Sequence, residues 1–169
     1  MNVYDFTRDL EERDQKLFHR LAQDSNHFGV RRIFEMVAED EVRLVERIAT
    51  IRTREGTAAT ADSSALENLT DRFLELSREL AETQVDSDVS AYAAAARYEE
   101  GVCHLFREAA SRETNGESVR LLREIGAQEC GEAEELRRVH DFVNAPNEFL
   151  AWSEFSNLGE FHNFGRETG

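Results

Sequence analysis

The sequence has few of the residues that break helices. Its 169 residues include one proline and nine glycines, which are too few for the many turns of a β-sandwich. Hydrophobic residues make up 40% of the chain, so a protein of this length can bury one sizeable core without depending on disulfides or metal ions to fold. The composition therefore predicts a single globular domain built from long helices.

Long apolar runs and basic residues are also scarce. No stretch approaches the roughly 18 consecutive apolar residues of a membrane-spanning helix, and residues 1–13 are charged where a signal peptide has its apolar centre. The 20 lysines and arginines face 35 aspartates and glutamates, which gives a formal net charge of −15. A surface of this sign repels nucleic-acid phosphates and anionic membranes. We therefore expect a soluble, cytoplasmic protein that binds neither nucleic acid nor membranes.

The sequence has only two cysteines, Cys103 and Cys130. They form no Cys-x-x-Cys pair, and this excludes a zinc ribbon and a rubredoxin-type iron site. A free cysteine most often behaves as a small core residue. We therefore expect two small buried thiols.

Apolar residues recur every three or four positions along four long segments, which is typical of amphipathic helices. The four predicted helices run from Val3 to Ala22, from Phe28 to about Thr53, from about Asp88 to Ser111 and from about Gly116 to Phe142. Asn2 is a suitable N-cap for the first of them. A loop over residues 56–64 and a shorter helix around Leu66–Leu76 form a long crossover between the second and the third.

The last part of the chain differs in composition from the rest. Five of the eleven phenylalanines fall in the last 28 residues, around and beyond Pro146. We expect residues 1–143 to form a helical bundle and residues 144–169 to form an aromatic tail. Such a tail would pack on the bundle or on a partner subunit.

The two halves of the chain resemble each other. A shift of 88 residues aligns the first two predicted helices with the last two, and the identical pairs include Tyr4/Tyr92, Glu11/Glu99, Phe18/Phe106 and Glu41/Glu129. We interpret the chain as a duplicated helical hairpin. Two short-looped hairpins joined by a long crossover are one of the known topologies of a four-helix bundle.

Acidic residues interrupt the apolar faces of all four predicted helices. A charge that faces a bundle core costs several kcal/mol unless something pairs with it. The acids expected to point inward are Glu11, Asp14, Glu41, Glu99, Glu129 and Glu132. Because so many carboxylates in a dry site cannot all stay ionised unaided, either two divalent metal ions bind them or several of their pKa values rise strongly.

These residues resemble those of a known family, the rubrerythrin-type di-iron proteins of the ferritin-like superfamily, in particular the small members without the rubredoxin domain. The resemblance covers nearly the whole chain, and it rests on Asn2–Phe6, Glu11 with Phe18, Ala38–Glu41, Glu99 with Phe106, Glu129, and Phe142–Pro146 through Trp152 to Phe155. It implies an all-α, ferritin-like four-helix bundle with a long crossover between helices 2 and 3. It also implies a di-iron centre that acts on peroxide or dioxygen.

The sequence departs from the family's ligand pattern at both histidines. The resemblance implies Glu-x-x-His on the second and fourth main helices, where this chain has Leu44 and Glu132 as the last residue of the motif. Leu44 cannot bind a metal, whereas Glu132 can. The implied ligands are Glu11, Glu41, Glu99, Glu129 and Glu132, with Asp14 as a possible sixth. Asp14 is the repeat mate of Val102, the position at which rubrerythrins carry an extra glutamate.

Two functions remain open. The first is a rubrerythrin-like di-metal protein with oxygen, peroxide or iron redox activity, in which two iron ions are favoured and manganese, zinc or magnesium are alternatives. It would be a homodimer and would need a separate electron donor. The second is a degenerate bundle that binds one ion or none and acts as a dimeric scaffold or interaction protein. Metal storage in a ferritin-like cage is a third, less favoured reading.

Each candidate residue also has a simpler interpretation. The glutamates can be salt-bridged or partly exposed helix residues, and an acid such as Asp14 gains from the helix dipole without any ligand. For the cysteines the alternative is functional, because Cys130 directly follows Glu129 and Cys103 lies one turn after Glu99. A thiolate close to the metals is therefore the alternative to two core thiols.

Overall fold

The computed structural model describes residues 2–55 and 63–161, and it describes side chains for residues 2–50 and 63–146. Five α-helices account for most of these residues. In chain order the helices are α1 (Val3–Asp24), α2 (Phe28–Glu55), α3 (Leu69–Glu82), α4 (Asp88–Arg112) and α5 (Gly116–Phe161). A short 3₁₀ turn, Ser64–Leu66, precedes α3. The described ranges contain no β-strand, and the all-α prediction is confirmed.

Side chains at the helix starts fix where the helices begin. The Asn2 side chain accepts a hydrogen bond from the backbone N–H of Asp5 at 2.9 Å, as its position in the sequence predicts. Ser87 and Ser90 form a reciprocal capping box at the start of α4. Asn115 accepts two backbone N–H groups of the first turn of α5, both at 3.0 Å. Each cap satisfies donors that the helix itself leaves unpaired.

The helices pack as two hairpins, with α1 against α2 and α4 against α5. The crossover between them carries α3, which lies against α4 and α1. Aromatic rings tie the elements together, because the Phe18 ring centroid of α1 is 6.0 Å from that of Phe34 on α2 and 5.5 Å from that of Tyr98 on α4. The buried face of each long helix therefore points to one shared interior.

The last helix is longer than the sequence predicts. It continues from Phe142 through Pro146 and ends at Phe161, so the predicted end at Phe142 is wrong. A proline inside a helix removes one N–H donor and crowds the carbonyl of the preceding turn, but the segment beyond Pro146 has aromatic residues at helical spacing, which favours continuation. The side chains of the tail, and with them its expected packing, lie outside the described residues, as does most of the predicted loop over 56–64.

Ion pairs connect the outer faces of the helices. Arg137 of α5 lies 2.7 Å from Glu100 of α4, and Arg72 of α3 pairs with Glu108 of α4. Exposed pairs of this kind contribute about 0–1 kcal/mol each, so the interior carries most of the stability. Among the described residues, no helix combines the length and the apolar character that crossing a membrane requires.

Candidate metal centre

Six acidic side chains from four helices meet in the interior. α1 supplies two of them, α2 and α4 supply one each, and α5 supplies two: Glu11, Asp14, Glu41, Glu99, Glu129 and Glu132. The first five are at most 1% exposed, and Glu132 is partly exposed. The structure therefore brings together all the residues that the sequence analysis selected as possible ligands.

These side chains form two groups that share one residue. The four-carboxylate group, in which one oxygen of each residue lies within 4.8 Å of the others, consists of Glu41, Glu99, Glu129 and Glu132. The three-carboxylate group, defined in the same way, consists of Glu11, Asp14 and Glu41. Because Glu41 belongs to both groups, its carboxylate could help to hold a cation in either one.

Eight buried oxygen atoms in these groups have no hydrogen-bond partner among the described residues. They are both carboxyl oxygens of Glu11, Glu41, Glu99 and Glu129. Buried polar groups in native proteins are nearly always hydrogen-bonded, and an uncompensated buried charge costs several kcal/mol. The cluster therefore needs either cations or protons to neutralise it.

Burial raises the pKa of each of these acids. For Glu11, Glu99 and Glu129 the loss of hydration is the largest cause of the raised pKa, and the neighbouring carboxylates raise it further. Burial raises the pKa of Glu41 to about 8, with the negative charge of Glu132 adding to the effect. In the absence of cations, the cluster consequently retains protons at neutral pH.

A tyrosine of α4 holds Asp14 in place. The Tyr98 hydroxyl donates a hydrogen bond to Asp14 Oδ1 and lies 3.3 Å from Ser77 Oγ on α3. Burial raises the pKa of Asp14 more than this hydrogen bond lowers it. The Tyr98 ring packs edge-on against Phe18 and Phe73, with centroid distances of 5.5 and 6.4 Å. The orientation of the phenol, and of the carboxylate that accepts from it, is therefore fixed from several sides.

Tyr98 also faces a cavity between α3 and α4. This cavity has a volume of about 240 Å³ and is lined by Leu76, Glu79, Arg97 and Tyr98 among others. The phenol of Tyr98 thus lies between the cavity and Asp14. Tyr98 therefore both lines this cavity and hydrogen-bonds a member of the three-carboxylate group.

The sequence analysis missed Tyr98. In the 88-residue repeat Tyr98 aligns with Leu10, and both side chains are buried. A phenol that replaces an apolar residue on an inward helix face, directly before Glu99, is the signal that identifies it, because a buried hydroxyl needs a partner.

The two cysteines form a disulfide and are not thiols, so that prediction was wrong. Cys103 of α4 is bonded to Cys130 of α5, and their Cα atoms are 5.1 Å apart. A separation of 27 residues carries no pairing signal by itself, but the antiparallel packing of α4 on α5 places the two residues opposite each other. The link lies one turn after Glu99 and directly after Glu129.

Neither carboxylate group contains a histidine among the described residues. Leu44, at one of the positions where the resembled family has histidine, is 2% exposed and belongs to the hydrophobic core. Glu132, at the other position, accepts a hydrogen bond from Gln128 Nε2 at 3.1 Å and is part of the four-carboxylate group. The donor set of the candidate centre is therefore made of oxygen atoms alone.

Comparison of the chain with protein-family models, with curated proteins and with solved structures found no match in any of the three. The function therefore has to be inferred from the geometry and the charge of the carboxylate groups.

Proposed function

We propose that this chain is a rubrerythrin-like di-metal carboxylate protein that binds two cations, with iron favoured, inside a ferritin-like four-helix bundle. The four-carboxylate group would hold one cation and the three-carboxylate group the other, with Glu41 shared between them. The observation that carries the proposal is the set of eight buried carboxylate oxygens without a hydrogen-bond partner. Such atoms are stable in a protein interior when they bind a cation.

Charge balance favours two cations over one. Six carboxylates carry up to six negative charges, whereas one divalent ion supplies two positive charges and two divalent ions supply four. With two ions, the site needs the fewest protons to become neutral, and two trivalent ions would neutralise it without any. Oxygen donors suit iron, manganese and magnesium. A donor set without neutral nitrogen ligands stabilises the more highly charged state of a redox metal.

A bound pair of redox metals would supply electrons to an oxidant such as peroxide or dioxygen. The chain's own residues fix the two groups on four helices, bury every member except the partly exposed Glu132, and orient Asp14 through Tyr98. These 169 residues contain no Cys-x-x-Cys motif for a second iron site, and the proposal includes an electron donor outside them. It also includes a homodimer.

A second candidate function is a bundle that holds one cation or only protons and serves as a dimeric scaffold. The observation in its favour is Leu44, an apolar core residue at a ligand position of the resembled family. The raised pKa of Glu41 would let protons neutralise part of the cluster. Against it, apolar residues in place of buried acids would stabilise a bundle that has no ligand to bind.

An anaerobic Fe(II) titration of the metal-stripped protein separates the two functions. We expect about two irons per chain in the wild type, and less iron in Glu11→Gln and Glu99→Gln, because each variant removes a buried oxygen ligand at nearly constant size. Glu12→Gln and Glu100→Gln are the matched controls, since these neighbouring side chains are 45% and 43% exposed. Exposure to peroxide should then oxidise the iron in the wild type and in the controls.

The opposite result would be equally clear. Absence of iron, or one iron per chain that Glu11→Gln and Glu99→Gln leave in place, would rule out the di-metal function. It would leave the scaffold as the better description.

A further inference from the structure

The disulfide joins the two helices that supply most of the four-carboxylate group. Glu99 lies four residues before Cys103 on the same face of α4, and Glu129 directly precedes Cys130 on α5. The two Cα atoms of the disulfide are 5.1 Å apart. A covalent bond between α4 and α5 is therefore within one helical turn of two candidate ligands.

The helices have little spare room beside this bond. A Cβ atom added at Gly126 of α5 would lie 3.0 Å from the Phe106 Cβ and 3.7 Å from the Cys103 carbonyl oxygen. Two thiols in van der Waals contact lie farther apart than two bonded sulfur atoms. Reduction of the disulfide must therefore move α4 and α5 apart or turn the two side chains, and a movement of the helices changes the spacing of Glu99 and Glu129.

The two cysteines differ in how well a reductant reaches them. Cys103 is 3% exposed, whereas Cys130 is partly exposed. Gly131, the next residue, is exposed, and a Cβ atom added there would meet nothing within 4 Å. An external thiol therefore approaches the disulfide from the side of Cys130.

We propose that the Cys103–Cys130 disulfide is a reversible clamp on the four-carboxylate group, opened by a dithiol reductant through Cys130, and that opening it weakens cation binding. The inference rests on the proposed function and names a regulation of the same site. It assigns a role to two residues that the proposed metal chemistry does not use.

The exchange step balances within the two reactants. A thiolate of the dithiol attacks Sγ of Cys130, the bond to Cys103 breaks, and Cys103 leaves as a thiolate that takes up a proton. The second thiol of the reductant then attacks the reductant's other sulfur, which is bonded to Cys130 in the mixed disulfide, and Cys130 is released as a thiol. The dithiol is oxidised to a disulfide, and the protein gains two electrons and two protons.

The clamp changes cation affinity through the spacing of the ligands. In the oxidised protein it fixes the spacing of the helix segments that carry Glu99 and Glu129, so a cation finds the oxygens already in place. In the reduced protein the helices relax, and the cation has to draw the carboxylates back. Loss of a group that orients metal ligands typically costs about 10–100-fold in metal affinity, so we expect reduction to weaken binding at least about tenfold.

Calorimetric titration with Mn²⁺, a hard cation that does not prefer thiolates, tests the clamp. The samples are the metal-stripped oxidised protein, the same protein reduced with dithiothreitol and desalted without oxygen, and the Cys103→Ala/Cys130→Ala variant under both conditions. Free thiols are counted in each sample, and circular dichroism checks that the helices persist. Brief treatment with 2-mercaptoethanol and peptide mapping identifies the cysteine that is attacked first.

We expect tight binding in the oxidised protein, weaker binding in the reduced protein, weak binding in the double variant regardless of reductant, and the mixed disulfide on Cys130. Equal affinity of the oxidised and reduced protein would overturn the clamp and leave the proposed function standing. A mixed disulfide on Cys103, or loss of the helices on reduction, would also overturn it. Absence of Mn²⁺ binding in every sample would overturn the proposed function and the clamp together.

Discussion

At the scale of single residues, the buried carboxyl groups determine how the stability of the metal-free protein depends on pH. Burial raises their pKa values above those in the unfolded chain, for Glu41 from 4.5 to about 8. Between these values the folded state holds more protons than the unfolded state, so the free energy of unfolding falls as the pH rises. We expect a fall of about 1.4 kcal/mol per pH unit for each such proton. Urea denaturation of the metal-stripped protein between about pH 5 and pH 8 measures it.

Metal loading provides the comparison for this prediction. Bound cations replace the protons of the cluster, so the loaded protein should lose little stability over the same pH range. A decline of equal size in the loaded and the metal-stripped protein would show that the six carboxylates are not its cause.

Tyr98 is a further test at the residue scale. Tyr98→Phe keeps the ring that packs on Phe18 and Phe73 but removes the hydrogen bond to Asp14. We expect affinity for the cation of the three-carboxylate group to fall about 10–100-fold, with little change at the other group. Mn²⁺ calorimetry measures both affinities, and Tyr92→Phe is the control, since Tyr92 is only partly buried. If Tyr98→Phe left the affinity of the three-carboxylate group unchanged, Tyr98 would not position Asp14 for cation binding.

At the scale of the elements, the close packing of α4 on α5 predicts different effects for two glycines of α5. Gly131→Ala enters open space on an exposed helix face, so it should raise stability by about 0.5–1 kcal/mol. Gly126→Ala would place its methyl group 3.0 Å from the Phe106 Cβ, so α4 and α5 would have to shift by a few tenths of an ångström to make room. We expect it to be less stable than Gly131→Ala by at least about 1 kcal/mol. Thermal denaturation of both variants at one pH compares them, and equal stability would contradict the close packing.

The periodicity of the sequence predicts most of the elements and the acids they bury. The positions of Glu11, Glu41, Glu99 and Glu129 follow from helical spacing together with the 88-residue repeat, because both patterns are visible in the sequence without knowledge of how the helices pack. The disulfide and the Tyr98–Asp14 hydrogen bond depend on which residues of two different helices face each other. The spacing of residues within one helix does not predict this pairing. The predicted end of α5 at Phe142 followed the change in composition around Pro146, although aromatic residues continue at helical spacing beyond that proline.

At the scale of the whole molecule, cations bound between the hairpins should tie the two halves together. The candidate ligands come from α1 and α2 on one side and from α4 and α5 on the other, so binding stabilises only the assembled fold. At a cation concentration 100 times the dissociation constant, each site adds about 2.7 kcal/mol. For a chain of this size each kcal/mol raises Tm by about 2–4 °C.

Differential scanning calorimetry with and without Mn²⁺ measures this shift. Glu99→Gln should show a smaller rise in Tm, and Glu100→Gln should match the wild type. An equal rise in all three proteins would mean that the cation stabilises some other part of the surface.

The two hairpins are similar in sequence, yet they are not equivalent around the acids. Three residues after Glu11, α1 carries Asp14, whereas three residues after Glu99, α4 carries the buried apolar Val102. The disulfide likewise has no counterpart on the α1–α2 side, because both of its cysteines belong to α4 and α5. The two ends of the cluster therefore differ. One end contains Asp14, which accepts a hydrogen bond from Tyr98, and the other lies beside the Cys103–Cys130 disulfide. Two identical hairpins would give the cluster equivalent ends, whereas these two do not.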